Sequence, residues 1–274
     1  MRIDSHQHFW NYSSAEYPWI DSQWPIRRDF LPADLEPELL RNQLDGSVAV
    51  QARQSLEETR WLLQLAESFP LIKGVVGWVD LRSPAVEQQL GEFASHPRFV
   101  GVRHVVQDEP DDRFMLREDF QRGIGTLRKF GLTYDILIYP RQLPAALELA
   151  QSFPEQPFVL DHLAKPFIRD RAISPWSEEI RRLARCPNVM CKASGLVTEA
   201  KWHQWHLEDF QPYLQVVFEA FGPDRLMFGS DWPVGLLSAS YEQAFSLVRH
   251  YVLQYDKQAE SKVFGVNAVR FYDL

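Results

Sequence analysis

Cysteine and long apolar runs are scarce in this chain. Its 274 residues include only two cysteines, Cys186 and Cys191, and they form no C-x-x-C pair. We therefore expect two reduced thiols in or near the core, rather than a disulfide scaffold or a redox motif. No apolar run reaches the ~20 residues that a membrane-spanning helix needs, so the sequence predicts no partner membrane.

Positive charge is in deficit as well. The formal net charge is −8 and the isoelectric point is about 5.5. Proteins that bind nucleic acid or an anionic membrane through charge usually carry a basic surface, so neither partner is expected. The first residues enter a strand-like segment without the basic and apolar regions of a secretory signal. Together these absences predict a soluble, cytoplasmic protein.

Phosphate-binding loops are also missing. No G-x-G-x-x-G or Walker-type loop follows any strand-like run, which disfavours an open doubly wound sheet, the alternative fold. The sequence does contain eight short runs rich in β-branched and apolar residues, which predict strands. These runs are Arg2–His6, Ser47–Gln51, Gly74–Val79, Val100–Val105, Leu132–Ile138, Phe158–His162, Val189–Ala193 and Leu226–Asp231.

Longer segments between these runs have apolar residues three and four positions apart, which predicts helices. They are Leu56–Phe69, Ala85–Ala94, Leu143–Phe153, Trp176–Ala184 and Tyr213–Phe221. Strands that alternate with crossovers pair in parallel. The pattern and length predict an α/β protein, a single TIM-like (β/α)8 barrel domain over residues 1–274. A long loop, residues 9–45, follows the first strand, and C-terminal helices are expected from about Ser240.

Residues able to carry chemistry lie at the predicted strand ends. Asp4, His6 and His8 alternate along the first strand and are predicted to share one face. His162 ends the sixth predicted strand and Asp231 ends the eighth. Because closure of a barrel places the eighth strand beside the first, Asp231 should lie next to the two N-terminal histidines. The sequence therefore predicts three imidazoles and one carboxylate at the barrel mouth.

Two kinds of chemistry suit the set formed by His6, His8, His162 and Asp231. Imidazole and carboxylate groups can hold a single divalent ion such as zinc. Without an ion, the carboxylate can take a proton from water while the imidazoles polarise a carbonyl group. The residues alone leave both possibilities open.

Several segments resemble the amidohydrolase superfamily, and specifically the amidohydrolase-2 branch that contains sugar lactonases and the pyrone-dicarboxylate lactonase. They are Asp4–His8, Gly74–Leu81, Gly101–His104, Leu160–Pro166, Lys192–Gly195 and Phe228–Val234. They span nearly the whole chain in the expected order. The pairing of L-D-H-x-x-K-P with G-S-D-W-P is specific to the lactonase-like branch. The resemblance implies a TIM-like barrel with the three histidines and Asp231 at its centre.

The resemblance also exposes departures from the metal-dependent members. Those members commonly carry a bridging Lys or Glu on strand four and a metal-binding His on strand five. This chain has Arg103 and His104 in its fourth predicted strand, and its fifth contains no histidine. A binuclear centre is therefore not expected, and lactonases of this branch can work without metal. We expect no required cofactor, and one zinc ion on the four site residues stays open.

Four residues near the strand ends are candidate substrate ligands. Arg103 offers a fixed, charged fork for a substrate oxygen or carboxylate, with a salt bridge at the rim as the alternative. His104 should point to the opposite side of the same strand, although it remains a candidate. Gln51 is a candidate ligand for a substrate hydroxyl. Trp78 is a candidate wall of the site.

Lys192, in the seventh predicted strand, is a fifth candidate for substrate binding. A buried lysine is rare without an acidic partner. Asp161 and Asp135 are the acids that could pair with it, and such a pairing is the alternative to a role in binding.

The function that the resemblance implies is hydrolysis of a small sugar-derived lactone to its hydroxy acid. Asp231 would activate water, and the three histidines would polarise the carbonyl. L-Fucono- or L-rhamnono-type lactones are the expected substrates. Two alternatives stay open: a metal-dependent decarboxylase of the same superfamily, and a barrel that binds a sugar acid without converting it. A small lactone is the partner predicted, and a homo-oligomer is left open.

Overall fold

Eight parallel strands form the centre of the protein, for which a computed structural model describes residues 1–274. The strands are β1 Ile3–Gln7, β2 Gly46–Val50, β3 Ile72–Gly77, β4 Phe99–Val105, β5 Thr133–Leu137, β6 Phe158–Leu160, β7 Val189–Ala193 and β8 Leu226–Phe228. Each strand pairs in parallel with the next along the chain. The predicted (β/α)8 barrel is confirmed.

Helices surround the strands. They are α1 Pro32–Arg41, α2 Leu56–Ser68, α3 Val86–Phe93, α4 Glu118–Leu127, α5 Leu143–Ser152, α6 Trp176–Leu183, α7 Leu207–Phe221, α8 Tyr241–Tyr255 and α9 Asn267–Tyr272. The C-terminal helices α8 and α9 confirm the prediction for the last part of the chain. None of the helices combines the length and the apolar character that crossing a membrane requires.

Two helices were not predicted from the sequence. Helix α1 lies inside the long connection after β1, where Pro32 stands in the first turn, a place that needs no backbone donor. Helix α4 contains Gly123 and Gly125, and glycine lowers helix propensity by about 1 kcal/mol relative to alanine. Tertiary packing offsets this cost, because Phe120 and Ile124 are fully buried on one face of α4.

Hydrogen bonds between the end of β1 and the residues after β8 close the barrel. The backbone N–H of Asp231 donates to the carbonyl of His6 at 2.9 Å, and the N–H of His8 donates to the carbonyl of Trp232 at 2.7 Å. These bonds confirm the predicted position of Asp231 beside the two N-terminal histidines.

The register of β1 shifts between Asp4 and Gln7. As a consequence, the Asp4 carboxylate contacts the hydroxyl of Tyr241 in α8, 2.9 Å away, whereas the ring of His6 faces the barrel interior. The prediction that Asp4 shares a face with the two histidines is therefore wrong, because strict alternation does not hold through a bulge.

A separate apolar cluster, formed by residues of seven strands and of α9, fills part of the barrel interior. It consists of Ile3, Val48, Val50, Val76, Val100, Val159, Met190 and Met227, together with Ala268 and Tyr272 from α9. Such a filled interior makes the barrel a packed core and leaves the carboxyl ends of the strands for the site. Helix α9 thus packs against the layer that lies beneath the polar groups.

The long connection after β1 is anchored to the barrel by Glu58 of α2. The Tyr17 hydroxyl donates to Glu58 Oε1 at 3.2 Å, and the backbone N–H groups of Ala52 and Arg53 donate to Oε2 at 3.0 and 2.9 Å. Burial raises the pKa of Glu58 to about 7, despite these hydrogen bonds. One carboxyl group therefore joins the connection to the loop after β2.

Candidate active site

Three histidines surround Asp231 at the carboxyl ends of the strands. The Asp231 Oδ1 atom lies 3.4 Å from Nε2 of His8, 3.8 Å from Nε2 of His162 and 3.9 Å from Nε2 of His6. All four residues are at most 4% exposed. The structure therefore brings together the four residues that the sequence predicted as one cluster.

Left-handed backbone places two of these residues. Four consecutive non-glycine residues, His162–Lys165, have φ between +52° and +58°, and Asp231 has φ of +57°. This conformation costs roughly 1–2 kcal/mol for each L-residue. Strand β6 therefore ends at Leu160 and β8 at Phe228, earlier than predicted. Strained backbone of this kind concentrates at functional sites.

Contacts from neighbouring elements hold the left-handed turn after β6. The indole N–H of Trp176 donates to the carbonyl of Leu163 at 2.7 Å, and the N–H of Lys165 donates to the carbonyl of His162 at the same distance. Gly195, with φ of +61°, lies against the His162 ring, and a Cβ there would be 2.5 Å from Nδ1. The ring position of His162 thus depends on a residue without a side chain.

A buried carboxylate fixes the turn that carries Asp231. Asp4 accepts hydrogen bonds from the backbone N–H and the hydroxyl of Ser230, at 2.9 and 2.6 Å, and from the Tyr241 hydroxyl. Burial raises the pKa of Asp4 to about 6, against the lowering effect of these donors. Asp4 therefore holds the turn that positions Asp231, although Asp4 is not itself one of the four clustered residues.

Burial and neighbouring groups set the charge state of the cluster. Burial lowers the pKa of His6 and His162 well below the usual value, so both rings are neutral at pH 7. Burial acts to raise the pKa of Asp231, but the nearby His162, His8 and Lys165 outweigh it and lower the pKa. Asp231 is therefore a carboxylate at neutral pH and can accept a proton.

A network of charged groups fills the barrel interior beneath His6. Nζ of Lys192 lies 2.5 Å from Oδ2 of Asp135, 3.1 Å from Oδ1 of Asp161 and 3.1 Å from Nδ1 of His6. The Tyr272 hydroxyl of α9 donates to Asp135 at 2.8 Å. Lys192 and both acids are fully buried. The alternative predicted for Lys192, an ion pair with Asp161 or Asp135, is what the structure contains.

Arg103 and Gln51 lie beside this network. Nη1 of Arg103 donates to Oδ2 of Asp161 at 3.0 Å, and Nη2 donates to the backbone carbonyl of Gln51. Nη1 is also 3.3 Å from Nε2 of His6. Oε1 of Gln51 and Nε of Arg103 have no hydrogen-bond partner within the protein. Both residues therefore border the cluster, although most donors of Arg103 are committed to protein groups.

Trp78 and His104 lie apart from the four clustered residues. The indole N–H of Trp78 points at Nδ1 of His104, 3.4 Å away, and Nε2 of His104 is 2.7 Å from a carboxylate oxygen of Glu109. The His104 ring stacks on Phe114 with 5.0 Å between ring centroids. His104 thus faces the helix side of the barrel wall, away from the interior that Arg103 enters, and its role in substrate binding stays a prediction.

Lys165 and Glu199 are charged residues of the mouth that the sequence analysis missed. Nζ of Lys165 lies 3.9 Å from Oε1 of Glu199, and burial raises the pKa of that carboxyl. Glu199 also lines an open cleft of about 670 Å³ between the loops after β6 and β7, with Phe167 and Trp202 on its walls. The available signal was the lysine of the L-D-H-x-x-K-P segment.

The donor set suits a single divalent ion. Around a four-coordinate zinc with bonds of ~2.0–2.1 Å, ligand atoms lie ~3.3–3.4 Å apart. Nε2 of His6 and Nε2 of His8 are 3.2 Å apart, and Nε2 of His8 is 3.4 Å from Asp231. The third distance, from Nε2 of His6 to Asp231, is longer at 3.9 Å. The guanidinium of Arg103 opposes an ion here, since its charge lies 3.3 Å from a ligand atom. His6, His8 and Asp231 therefore fit one ion, with His162 beside them.

Comparisons with curated proteins reveal full-length relatives. The L-fucono-1,5-lactonase of Burkholderia multivorans is 42% identical over 286 residues, covering 100% of this chain and 96% of the relative. The L-fucono-1,5-lactonase of Burkholderia ambifaria is 38% identical over 284 residues, again covering 100% and 96%. The similarity therefore extends over the barrel and every segment of the site.

Solved structures and family models agree with these relatives. A crystal structure of an amidohydrolase from Burkholderia multivorans with bound zinc is 42% identical, has a TM-score of 0.96, and covers 100% of this chain and 99% of that one. A family model described as amidohydrolase matches residues 3–274. This chain belongs to the amidohydrolase family.

Proposed function

We propose that this protein hydrolyses a sugar-derived lactone to its hydroxy acid, with an L-fucono-type lactone as the first candidate substrate. Two relatives with at least 38% identity over the whole chain are L-fucono-1,5-lactonases. The observation that carries the proposal is the ionised Asp231 with three imidazole rings within 3.9 Å of its Oδ1 atom. This arrangement suits proton removal from water next to a polarised carbonyl.

The proposed reaction begins with Asp231 as the general base. Its carboxylate takes a proton from water, and the water oxygen bonds to the carbonyl carbon of the lactone. Protonated Asp231 then returns the proton to the ring oxygen as the bond between that oxygen and the acyl carbon breaks. The product is one open hydroxy acid, and the carboxylate of Asp231 is restored. The lowered pKa of Asp231 supports this role at neutral pH.

The histidines would stabilise the negative charge that develops on the carbonyl oxygen. His6 and His162 are neutral, so they would act as hydrogen-bond donors rather than as charged groups. Nδ1 of His162 lies 2.9 Å from the Ser194 hydroxyl, which holds the ring with Nε2 toward Asp231. Fixed donors of this kind cost no reorganisation during the reaction.

We propose that the reaction does not require a metal ion, although the site can hold one. An ion bound by His6, His8 and Asp231 would polarise the lactone carbonyl or lower the pKa of water. Two fixed cations beside His6, Arg103 and Lys192, support the proposal, because they already supply positive charge there.

Gln51 and Arg103 are the proposed substrate ligands next to the cluster. The unpaired Oε1 of Gln51 and the unpaired Nε of Arg103 support this role, since buried polar atoms usually have partners. Lys192 is proposed to act through His6 rather than on the substrate. We keep Trp78 and His104 as more distant candidates for the wall of the site.

The proposal extends to the setting of the enzyme. We propose one catalytic domain over residues 1–274 that works in the cytoplasm, where the buried free thiols of Cys186 and Cys191 would stay reduced. The net charge of −8 supports the absence of a nucleic-acid partner. A homo-oligomer remains an alternative that sedimentation of the full chain would decide.

A pH-indicator assay over a panel of aldonolactones tests the function. We expect rapid acid release from a subset that includes L-fucono-1,5-lactone, at the same rate with chelator and with added zinc. Activity with zinc alone would retain the lactonase but overturn the metal-independent mechanism. Absence of acid release in both states would refute the lactonase and favour the decarboxylase or the binding protein.

A further inference from the structure

The ring nitrogen Nδ1 of His6 has two competing neighbours. Nζ of Lys192 is 3.1 Å away on one side, and Oδ1 of Asp161 is 3.3 Å away on the other. All three residues are fully buried, so water does not compete for these contacts. An ammonium group can only donate and a carboxylate can only accept. The two neighbours therefore favour opposite tautomers of the same ring.

Lys192 is held in the donating position. Its ammonium group is clamped by Asp135 at 2.5 Å, and Asp135 is in turn held by the Tyr272 hydroxyl at 2.8 and 3.0 Å. When Lys192 donates to Nδ1, a neutral His6 must carry its proton on Nε2. That N–H then faces the mouth, where Nε2 of His8 lies 3.2 Å away. Nη1 of Arg103 lies 3.3 Å from the same nitrogen and can only donate, so Arg103 favours the opposite tautomer, as Asp161 does.

The geometry of His8 is consistent with this direction. Nδ1 of His8 lies 2.8 Å from the backbone carbonyl of Val50, and a carbonyl can only accept, so Nδ1 carries a proton. With that proton on Nδ1, Nε2 of His8 is the nitrogen that can accept from His6. One chain of donors runs from Lys192 through His6 and His8 to Val50.

Binding of an ion requires the other tautomer of His6. A metal ligand must present a lone pair, so the proton on Nε2 would have to move to Nδ1. Oδ1 of Asp161 is the acceptor in position for it, because this fully buried oxygen lies 3.3 Å from Nδ1 of His6, although it is also paired with Nζ of Lys192 at 3.1 Å. Metal-bound histidines usually donate their other N–H to a carboxylate or carbonyl. His8 already has that arrangement, whereas His6 does not.

We propose that Lys192 and Asp161 form a tautomer switch at His6 that decides whether the site works without metal or binds a divalent ion. With Lys192 donating to Nδ1, His6 presents an N–H to the substrate oxygen and cannot bind an ion. With Asp161 accepting from Nδ1, His6 presents a lone pair. Lys192 and Asp161 are thus positioning residues, and Lys192 holds the metal-free form. Only the catalytic role of the switch rests on the proposed function; the two tautomers and their effect on ion binding do not.

Nitrogen-15 NMR of the histidine rings tests the switch in the wild-type enzyme. The metal-free protein should show His6 protonated at Nε2, and the zinc-loaded protein should show it protonated at Nδ1. A His6→Asn variant identifies the signal. Protonation at Nδ1 in the metal-free enzyme, or at the same nitrogen in both states, would overturn the proposal.

Removal of the lysine should move the equilibrium toward the ion-binding tautomer. We expect Lys192→Met to show His6 protonated at Nδ1 without metal and to bind zinc at least about tenfold more tightly, within the 10–100-fold range typical of groups behind a metal ligand. The double variant Lys192→Met with Asp135→Asn keeps the buried charge balanced if the single variant does not fold. Lys129→Met, at an exposed lysine, is the matched control.

The readouts separate the switch from the lactonase proposal. A gain in zinc affinity without a change of tautomer would assign Lys192 a purely electrostatic effect and refute the switch. An unchanged tautomer and unchanged affinity in a folded Lys192 variant would refute it as well. Neither measurement uses a lactone, so absence of lactonase activity would refute the proposed function and leave the switch tested on its own.

Discussion

We predict that Glu58 makes the stability of this protein depend on pH near neutrality. This residue is 1% exposed, and its carboxyl group joins Tyr17 of the long connection to the loop after β2. Glu58→Gln keeps the shape of the side chain and one oxygen for the backbone donors of Ala52 and Arg53. The amide group can in turn donate to the Tyr17 hydroxyl. The substitution therefore removes the titration while retaining the contacts.

The sign of the effect follows from the raised pKa. The folded protein binds the proton of Glu58 with a pKa of about 7, compared with 4.5 for an unperturbed group. Between these values the folded state holds more protons than the unfolded state, so the free energy of unfolding falls as pH rises. At 1.36 kcal/mol for each pKa unit, the full loss is about 3 kcal/mol and is complete above pH 7.

Urea unfolding of the wild type and the variant at pH 5, 6, 7 and 8 measures this loss. We expect Glu58→Gln to be more stable than the wild type by up to about 3 kcal/mol at pH 8, and the difference to shrink toward pH 5. The other buried carboxyl groups titrate in both proteins, so their contributions cancel when the two free energies of unfolding are subtracted. If the free energies of unfolding of the two proteins differed by the same amount at every pH in this range, the claim that ionisation of the buried Glu58 carboxyl destabilises the fold would be refuted.

Two further substitutions test the supports of the site. Gly195→Ala should displace the His162 ring, because the new Cβ would lie 2.5 Å from Nδ1. Turnover should fall at least ~100-fold, since misplacement of about 1 Å costs that much, and stability should fall by roughly 1–2 kcal/mol, since alanine is strained at a φ of +61°. A wild-type kcat would contradict this. Tyr272→Phe should lower the free energy of unfolding by about 1–3 kcal/mol, because Asp135 loses a buried donor. An unchanged urea midpoint would show that Tyr272 does not support the network.

The sequence predicted the barrel well, because strand pattern and crossover length are local signals. Strands β2 to β5 and β7 differ from prediction by a few residues at most. The ends of β6 and β8 were predicted too far along the chain. His162 and Asp231 adopt left-handed backbone that neighbouring contacts enforce. His and Asp adopt it more often than most residues, but this preference is too weak to locate the two turns in the sequence.

The candidate site was predictable in its members but not in its supports. His6, His8, His162 and Asp231 could be found because each lies at a predicted strand end. The network beneath them could not be assigned from sequence, because Tyr272 reaches Asp135 across 137 residues of chain. The bulge in β1 likewise depends on pairing with β2, so alternation alone placed Asp4 on the wrong face.

The central claim is that Asp231 moves the proton in lactone hydrolysis. The most direct measurement is kcat of Asp231→Asn on L-fucono-1,5-lactone with chelator present, beside the exposed control Asp111→Asn. We predict a loss of ~10²–10⁴-fold in kcat for Asp231→Asn, with an unchanged urea midpoint, and normal turnover for the control. Turnover of a folded Asp231→Asn protein within a few-fold of the wild type would contradict the account.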